Sequence, residues 1–259
     1  MRAKKSYGQH FLTNENYAQR IADALQLTDQ YEHVLEVGPG QGMLTKYLLE
    51  RSDAFSLQVV EADRDMVAHL EVHFPQLAGK IISQDFMKLW VQKHIDGSFG
   101  LIGNYPYNIS SQILMRTIEW RSLVPEMVGM FQKEVADRVL AGPGSKTYGT
   151  IGVMTQAFFD TSMLFKVGPG NFKPPPKVQS AVIRLVRKEE PLVADAHFKA
   201  FRRVVKAAFN QRRKMLRNSL KSVFPGEVLQ QEEIFTLRPE QISVEDFAGL
   251  GKRLAEAFS

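Results

Sequence analysis

The sequence has 259 residues, of which 44% are hydrophobic and 24% charged; this composition is typical of a soluble globular protein with room for one large α/β domain and a small appendage. It contains no cysteine, which excludes disulfides and cysteine-ligated zinc or iron–sulfur sites. It shows neither a signal-like apolar core nor a run long enough to cross a bilayer, so we expect a cytoplasmic protein without membrane attachment.

The formal net charge is only +5, so the placement of basic residues says more about an anionic partner than their sum. The first segment has a basic arm at residues 2–5, which is interpreted as a solvated tail. Next comes Gln9-His10-Phe11-Leu12, which mixes apolar anchors with hydrogen-bond donors before a helix predicted over 15–25. On its own, His10 is interpreted as an ordinary core or surface histidine.

A strand, a glycine-rich turn and a helix follow one another over residues 33–51. The strand at 33–37 leads into Gly38-Pro39-Gly40-Gln41-Gly42, and the helix begins near Met43. This order is typical of a nucleotide-binding βαβ unit. The G-x-G-x-G spacing differs from the dinucleotide fingerprint, which disfavours a nicotinamide cofactor, and no Gly-Lys-Ser/Thr follows, which excludes a P-loop.

The next two predicted strands each lead to an acidic residue. The strand at 55–60 is followed by Glu61, and the strand at 80–85 ends in Asp85. Glu61 falls about twenty residues beyond the glycine turn, where a carboxylate accepts hydrogen bonds from two ribose hydroxyls. Either acid alone could be a solvated loop residue, but together with the turn they predict a ligand site.

The fourth predicted strand, at 99–103, ends in Asn104-Tyr105-Pro106-Tyr107. Ligands of open α/β sheets bind at the carboxyl ends of strands, and Pro106 stiffens this loop. An amide acceptor beside an aromatic ring suits a planar amine such as adenine. The alternative is an ordinary strand-to-helix turn, in which Asn and Pro are common.

The second half of the chain changes from alternating elements to helices. Strands are predicted at 127–131, 163–167 and 181–186, with helices at 133–140 and 150–159. The proline-rich connection 168–177 is expected to hold Phe172 and Lys173 at the rim of the site. After a linker at 188–191, a basic cluster that includes Arg212, Arg213 and Lys214 favours contact with nucleic-acid phosphates over a merely solvated helix face.

Taken together, the sequence resembles the class I S-adenosylmethionine-dependent methyltransferases. Within them it resembles the ribosomal RNA adenine dimethyltransferases, over almost the whole chain. Tyr105 is a departure from the leucine or isoleucine more usual in that family, and His10 stands where asparagine is also common. The residues that carry the resemblance are Gln9-His10-Phe11-Leu12, Glu36-x-Gly38-x-Gly40-x-Gly42, Glu61, Asp85, Asn104-Tyr105-Pro106-Tyr107, the stretch 172–182 and the stretch 209–214.

The resemblance implies an α/β fold: a Rossmann-like, mostly parallel seven-stranded sheet with a small C-terminal helical domain. It implies a catalytic domain at 1–187 and a helical RNA- or ribosome-binding domain at 188–259. The implied cofactor is S-adenosylmethionine, and no metal is expected. The implied cofactor contacts are His10, Leu12, Gly38, Glu61, Asp85 and Asn104.

The implied reaction is N6,N6-dimethylation of two adjacent adenosines in the 3′-terminal hairpin loop of 16S ribosomal RNA, coupled to small-subunit biogenesis. The adenine would stack between Tyr107 and Phe172, and its N6 protons would bond to the Asn104 oxygen and the Pro106 carbonyl. Positioning would then provide most of the acceleration, without a strong base.

The expected partner is the immature small ribosomal subunit, and the expected form is a monomer. The nearest alternative is a related dimethyltransferase of large-subunit ribosomal RNA that confers antibiotic resistance. A DNA adenine methyltransferase is disfavoured, because no large target-recognition segment is present. A ribosome-assembly factor that acts mainly by binding is an alternative that does not conflict with the enzymatic interpretation, and the resemblance implies some role in assembly. A purely structural role would leave Glu61, Asp85 and Asn104 unexplained.

Overall fold

A computed structural model of the chain describes residues 9–257, so the basic arm at 2–5 lies outside the described residues. The strands alternate with helices up to about residue 167, as the sequence pattern predicts. The strands are β1 (Phe11–Leu12), β2 (His33–Val37), β3 (Ser56–Glu61), β4 (Ile81–Ser83), β5 (Phe99–Asn104), β6 (Glu126–Gln132), β7 (Phe159–Val167), β8 (Phe172–Lys173) and β9 (Ser180–Arg187).

The helices fall into two groups, one interleaved with the strands and one after them. Those of the first group are α1 (Glu15–Asp23), α2 (Met43–Leu49), α3 (Arg64–His73), α4 (Ser110–Glu119), α5 (Lys133–Leu140) and α6 (Thr150–Gln156). Those of the second are α7 (Phe198–Asn210), α8 (Leu216–Ser219), α9 (Val228–Gln231) and α10 (Val244–Glu256). None of the helices in the range 9–257 is long and apolar enough to cross a membrane.

Seven strands form one sheet in the order β4-β3-β2-β5-β6-β9-β7. The pairs β3–β4, β2–β3, β2–β5 and β5–β6 are parallel, and β9 runs antiparallel to β6. The predicted seven-stranded, mostly parallel sheet is therefore confirmed. Because β2, β3, β4 and β5 are parallel, their carboxyl ends meet at one edge of the sheet.

The strand β1 forms a second, two-stranded sheet with β8, and this pair brings the N-terminal motif to the proline-rich connection. Phe11 pairs with Lys173 and Leu12 with Phe172 in antiparallel register. The pairing is extended by a hydrogen bond from the Thr13 N–H to the Asn171 carbonyl, at 2.8 Å. Residues near the start of the chain are thus fixed beside the sheet edge that carries the glycine turn.

Several boundaries differ from the sequence prediction for local reasons. The helix predicted over 15–25 ends at Asp23, while its start is fixed by the Asn14 side chain, which accepts from the N–H groups of Asn16 and Tyr17. The strand predicted over 80–85 covers Ile81–Ser83, because the Asp85 side chain caps a 3₁₀ turn through the Met87 N–H.

The chain contains two compact units, and their boundaries do not coincide with a single division at residue 187. The first consists of the residues up to Ala136 with Ser162–Arg187; the second consists of Asp137–Thr161 with the residues from Lys188 onward. Within the second unit, α7 and α10 pack closely, since a Cβ on Gly251 would lie 2.7 Å from the Phe201 Cα. The functional division at 187 stays a prediction.

Candidate active site

A cavity of about 890 Å³ lies at the carboxyl ends of the parallel strands. It is large enough for a nucleoside-sized ligand. Among the described residues, no group of three or more histidine, aspartate or glutamate side chains is arranged to hold a metal ion. The predicted site residues that line the cavity are His10, Leu12, Gly38, Glu61, Asp85, Asn104, Pro106 and Tyr107.

The glycine turn after β2 uses left-handed backbone at its three glycines, with φ of +67° at Gly38, +55° at Gly40 and +82° at Gly42. Each glycine N–H already donates within the protein. The three bonds run from Gly38 to the Val60 carbonyl (2.9 Å), from Gly40 to Glu61 Oε2 (3.1 Å) and from Gly42 to the Pro39 carbonyl (2.9 Å). A turn whose N–H groups are used in this way offers no cradle for a pyrophosphate, whereas it suits an uncharged ribose or an amino-acid moiety.

Glu61, the last residue of β3, is held rigidly by the backbone around it. Its Oε2 accepts from Gly40 N–H, and its Oε1 accepts from the Asp63 N–H at 2.9 Å. Burial raises the pKa of the Glu61 carboxyl, and these backbone bonds oppose the rise. A further backbone bond from Ala62 also acts on this carboxyl, so the carboxylate is a fixed acceptor group at the cavity wall.

Glu36 is a second buried carboxyl beside the cavity, for which sequence reasoning gave no separate role. Its side chain is buried, and its Oε2 accepts from the Thr45 hydroxyl at 2.7 Å. Burial raises the pKa of the Glu36 carboxyl to about 8, and the neighbouring Glu61 adds to the rise. A pKa in this range favours the protonated form of Glu36 at neutral pH.

Asp85 and Asn104 reach the cavity from β4 and β5. Asp85 is exposed, and its Oδ1 caps the turn through the Met87 N–H at 2.9 Å, which leaves Oδ2 as the oxygen suited to a ligand amine. Asn104 donates from Nδ2 to the His10 carbonyl at 3.0 Å. With the amide nitrogen used in this way, the Asn104 oxygen is the atom suited to accept from a ligand N–H.

The Pro106 carbonyl, a predicted acceptor for the target amine, faces the following turn. It accepts from the Ile109 N–H and from the Ser110 hydroxyl, each at 3.2 Å. The single proton of the Ser110 hydroxyl is shared with the Tyr107 carbonyl, which lies 3.1 Å from the same oxygen, so only the bond from the Ile109 N–H belongs to Pro106 alone. Pro106 lines the cavity, and binding of the target amine by its carbonyl stays a prediction.

The packing around Tyr105 shows how the fold accommodates an aromatic ring at this position of the Asn-aromatic-Pro-aromatic motif. Its ring is buried and packs on Phe131, with 4.9 Å between ring centroids. The space is provided by Gly103 and Gly129, which are register partners on β5 and β6. A Cβ on Gly129 would lie only 1.9 Å from the Tyr105 Cε2, so glycine is required there beneath a tyrosine.

Tyr107 is half-buried, and its ring is contacted on two sides. The Tyr107 hydroxyl lies 2.5 Å from the Ser180 hydroxyl. The His10 ring stacks on it, with 5.2 Å between centroids and 29° between planes. Sequence reasoning gave Ser180 no role of its own, although the residue lies in the stretch 172–182 that carries the family resemblance.

The structure does not bring Phe172 to the cavity with the other predicted site residues. Phe172 is only 4% exposed and belongs to the hydrophobic core. The cause is the β1–β8 pairing, which places Phe172 opposite Leu12 and turns its ring inward rather than to a rim. Stacking of a base on Phe172 stays a prediction, and it requires this ring to become exposed.

The predicted RNA-binding residues lie in the second unit, and they differ among themselves. Arg213 and Lys214 are exposed. Arg212 instead donates to the Lys146 carbonyl at 2.7 Å and to the Ser145 carbonyl at 3.0 Å. Its Nε also lies 3.8 Å from a Glu240 carboxylate oxygen. Arg212 therefore holds the loop before α6, whereas its two neighbours present their charge to solvent.

The sequence and the fold were compared with known proteins. The family model "Ribosomal RNA adenine dimethylase" matches residues 1–251. A ribosomal RNA small subunit methyltransferase A from Flavobacterium johnsoniae is 50% identical and covers 98% of this chain and 96% of its own. The corresponding protein of Parabacteroides distasonis is 49% identical, with 96% and 93% covered.

Among solved structures, the 23S rRNA methyltransferase ErmE is similar with a TM-score of 0.64 and 27% identity, over 94% of this chain and 99% of its own. A dimethyladenosine transferase from Plasmodium falciparum shares the fold, with a TM-score of 0.76 at 24% identity, over 93% and 96% of the two chains. The family model spans nearly all residues, and the relatives above are 49–50% identical over almost the whole chain. The fold agrees with both findings, and this chain therefore belongs to the ribosomal RNA adenine dimethylase family.

Proposed function

We propose that this protein transfers methyl groups from S-adenosylmethionine to N6 of two adjacent adenosines in the 3′-terminal hairpin loop of 16S ribosomal RNA. The observation that carries the proposal is the meeting of Glu61, Asp85 and Asn104 at one cavity in a member of the adenine dimethylase family. The relatives at 49–50% identity are named as small-subunit enzymes, which favours this substrate over large-subunit RNA.

The residues around the cavity fit S-adenosylmethionine better than a dinucleotide. The glycine N–H groups are all used internally, and this cofactor has no phosphate that would need them. In the proposal, Glu61 accepts from the two ribose hydroxyls and Asp85 accepts from the adenine amine of the cofactor. His10 and Leu12 contact the cofactor, and the turn at Gly38 lets the backbone approach its methionine moiety. When bound, S-adenosylmethionine supplies an electrophilic methyl group on its sulfonium.

Asn104 is the residue proposed to prepare the target amine. Adenine N6 is a poor nucleophile, because its lone pair is delocalised into the ring. A hydrogen bond from N6–H to the Asn104 oxygen favours a pyramidal nitrogen and stabilises the positive charge that develops on it. The bond from Asn104 to the His10 carbonyl fixes the amide in the orientation that this role requires.

Tyr107 is proposed to provide the stacking surface for the target base, which every base offers through its π-face. Orientation then accounts for most of the acceleration, and the N6 proton leaves after methyl transfer. The proposal assigns the main acceptor role to Asn104 and the second to the Pro106 carbonyl, which already accepts one bond from the Ile109 N–H. Stacking by Phe172 would accompany binding only if its ring moves.

The helical part of the chain, residues 188–259, is proposed to bind ribosomal RNA on the immature small subunit, with the catalytic role in residues 1–187. The exposed Arg213 and Lys214 suit phosphate contacts that give affinity without base specificity. We further propose a monomer that acts in the cytoplasm during subunit assembly. Light scattering of the purified protein tests the monomer, and a dimer mass would contradict it.

A methyl-transfer assay tests the function directly. The protein is incubated with radiolabelled S-adenosylmethionine and with immature small subunits, mature small subunits or large subunits, and the modified bases are mapped by mass spectrometry. The expected result is two dimethyladenosines in the small-subunit RNA alone. Labelling confined to large-subunit RNA, or no labelling of any adenine N6, would contradict the proposal.

A further inference from the structure

The ring of Tyr107 is held at its far end by a residue outside the cavity. Its hydroxyl lies 2.5 Å from the hydroxyl of Ser180, which is 0% exposed and begins β9. The two residues are 73 positions apart in the sequence. Each hydroxyl depends on the other, because removal of one would leave the remaining hydroxyl without its hydrogen-bond partner.

Ser180 itself is fixed by the sheet. It is paired with Gln132 on β6 in antiparallel register. Just before it, the Gln179 carbonyl accepts from the Lys133 N–H at 2.8 Å. The hydroxyl of Ser180 is therefore mounted on a rigid element, which is the best support for a group that orients another.

The same connection that leads into Ser180 also supports the face of the Tyr107 ring. His10 stacks on that ring, and its Nδ1 lies 2.8 Å from the Pro174 carbonyl, to which it donates. Pro174 begins the short segment between β8 and β9, and Ser180 follows that segment as the first residue of β9. Tyr107 is thus held at its hydroxyl by Ser180 and on one face by a histidine anchored to the segment that leads into Ser180.

We propose that Ser180 is a positioning residue for methyl transfer: its hydrogen bond to the Tyr107 hydroxyl fixes the angle at which that ring meets the target adenine. The inference rests on the proposed role of Tyr107 as the stacking surface. A tyrosine ring joined to the backbone through single bonds can swing when its far end is released. A swing moves the stacked base, and N6 with it, relative to the transferred methyl group, and small misplacements of reacting atoms slow a reaction strongly.

Orientation of the Tyr107 ring by Ser180 can be distinguished from stacking by the face of that ring alone. If only the face matters, Tyr107→Phe is as active as the parent. If the Ser180 contact sets the angle, Tyr107→Phe and Ser180→Ala remove the same bond, so each slows the reaction and the double variant is no slower than either. Ser180→Thr keeps the hydroxyl and is expected to retain most of the rate.

The experiment measures single-turnover methylation of immature small subunits at saturating S-adenosylmethionine, for Ser180→Ala, Ser180→Thr, Tyr107→Phe, the double variant Ser180→Ala with Tyr107→Phe, and Tyr107→Ala. Ser162→Ala is the matched control, since Ser162 is an exposed serine on β7. Thermal unfolding and subunit affinity are measured for every variant. We expect Ser180→Ala and Tyr107→Phe each to slow the methyl-transfer step by roughly tenfold or more, with subunit affinity near that of the parent.

The outcomes distinguish the role of Ser180 from the stacking role of Tyr107 and from the proposed function. Parent rates for Ser180→Ala together with a slow Tyr107→Ala would overturn the role of Ser180 and leave the function intact. Parent rates for Tyr107→Ala would overturn the stacking role of Tyr107, and the Ser180 proposal with it. Independent, multiplying losses in the double variant would show that the two hydroxyls do not act through one bond. Should Ser180→Ala fail to fold, Tyr107→Phe against Ser180→Thr still decides the question.

Discussion

The side-chain amide of Asn104 donates a hydrogen bond to the backbone carbonyl of His10, with 3.0 Å between the two atoms. This bond joins the end of β5 to the motif at the start of the chain. It also fixes which end of the amide serves as donor, and so leaves the oxygen as the group suited to a target amine. Loss of this side chain should therefore affect the chemistry more than the binding of RNA.

Asn104→Ala is expected to slow single-turnover methylation by on the order of a hundredfold, because one acceptor aimed at developing charge is lost. Affinity for the small subunit, spread over many phosphate contacts, should stay within about twofold. Asn16→Ala, an exposed asparagine on α1, is the control and should match the parent. Methylation by Asn104→Ala at the parent rate would rule out the proposed acceptor role.

Glu61→Ala is expected to weaken S-adenosylmethionine binding by about 1–3 kcal/mol, because two ribose hydroxyls lose their acceptor. It should also lower the melting temperature, since the N–H groups of Gly40 and Asp63 lose theirs. Isothermal titration calorimetry measures the first effect and thermal unfolding the second. The control is Glu71→Ala, an exposed glutamate on α3. Cofactor affinity unchanged in Glu61→Ala would show that Glu61 has only the structural role.

Glu36 makes stability depend on pH. Its folded-state pKa is raised to about 8, above its value in the unfolded chain. The folded protein therefore binds this proton more tightly, so its contribution to stability is complete below about pH 4.5 and is lost as the pH rises through about 8. Glu36→Gln stays neutral throughout, and its oxygen can still accept from Thr45.

Thermal unfolding of the parent and Glu36→Gln between pH 5 and pH 9 measures this effect. The variant should gain on the parent as the pH rises, by on the order of 4 kcal/mol at most. Glu50→Gln, an exposed glutamate, should show no such gain. A difference between parent and Glu36→Gln that does not change with pH would mean that Glu36 is ionised in the folded protein at neutral pH.

Arg212 and Arg213 are adjacent arginines for which we expect opposite results. Arg212→Ala should lower the free energy of unfolding by about 1–2 kcal/mol, because it releases the carbonyls of Ser145 and Lys146. Arg213→Ala should leave stability unchanged and reduce the salt slope of subunit binding by about one phosphate contact. Denaturant titration and binding at several salt concentrations measure the two effects. An Arg213→Ala variant with the parent salt slope would contradict its phosphate contact.

Tyr105 and Gly129 should be coupled, because the ring of one occupies the space where the other would carry a Cβ. Gly129→Ala is expected to cost about 1–3 kcal/mol of stability by overpacking. Combined with Tyr105→Leu, which removes part of the ring, it should cost clearly less than the two single changes added together. Chemical denaturation of the four proteins measures this coupling; purely additive losses would mean that the two side chains do not compete for space.

The sequence predicted the sheet, and most of the catalytic and cofactor residues that it proposed line one cavity, for a reason that lies in the parallel strands. Strands of that kind deliver the residues that follow them to one edge, so Glu61, Asp85 and Asn104 could be expected to meet from their positions alone. Their roles toward a ligand stay predictions. The G-x-G-x-G spacing also indicated a ligand other than a dinucleotide, and the internal use of the glycine N–H groups supplies the physical reason.

Contacts between distant parts of the chain could not be predicted in this way. The inward position of Phe172 depends on β1 pairing with β8, and two-residue strands have no periodicity to read. Ser180 and Tyr107 are 73 residues apart, and nothing in either local pattern points to the other. The orientation of the Pro106 carbonyl depends on the 3₁₀ turn after it, which a proline-containing motif alone does not specify.

The pairing of β1 with β8 has a consequence for the order in which the protein is completed during translation. The chain emerges from the ribosome with its N-terminus first. His10 is therefore made 164 residues before Pro174, whose carbonyl anchors its ring. A nascent chain that already contains β2 to β6 still lacks the partner strand that holds Phe11 and Leu12. The wall of the cavity beside those residues therefore closes late, and a chain stalled before residue 172 should bind cofactor poorly even though its parallel strands are in place.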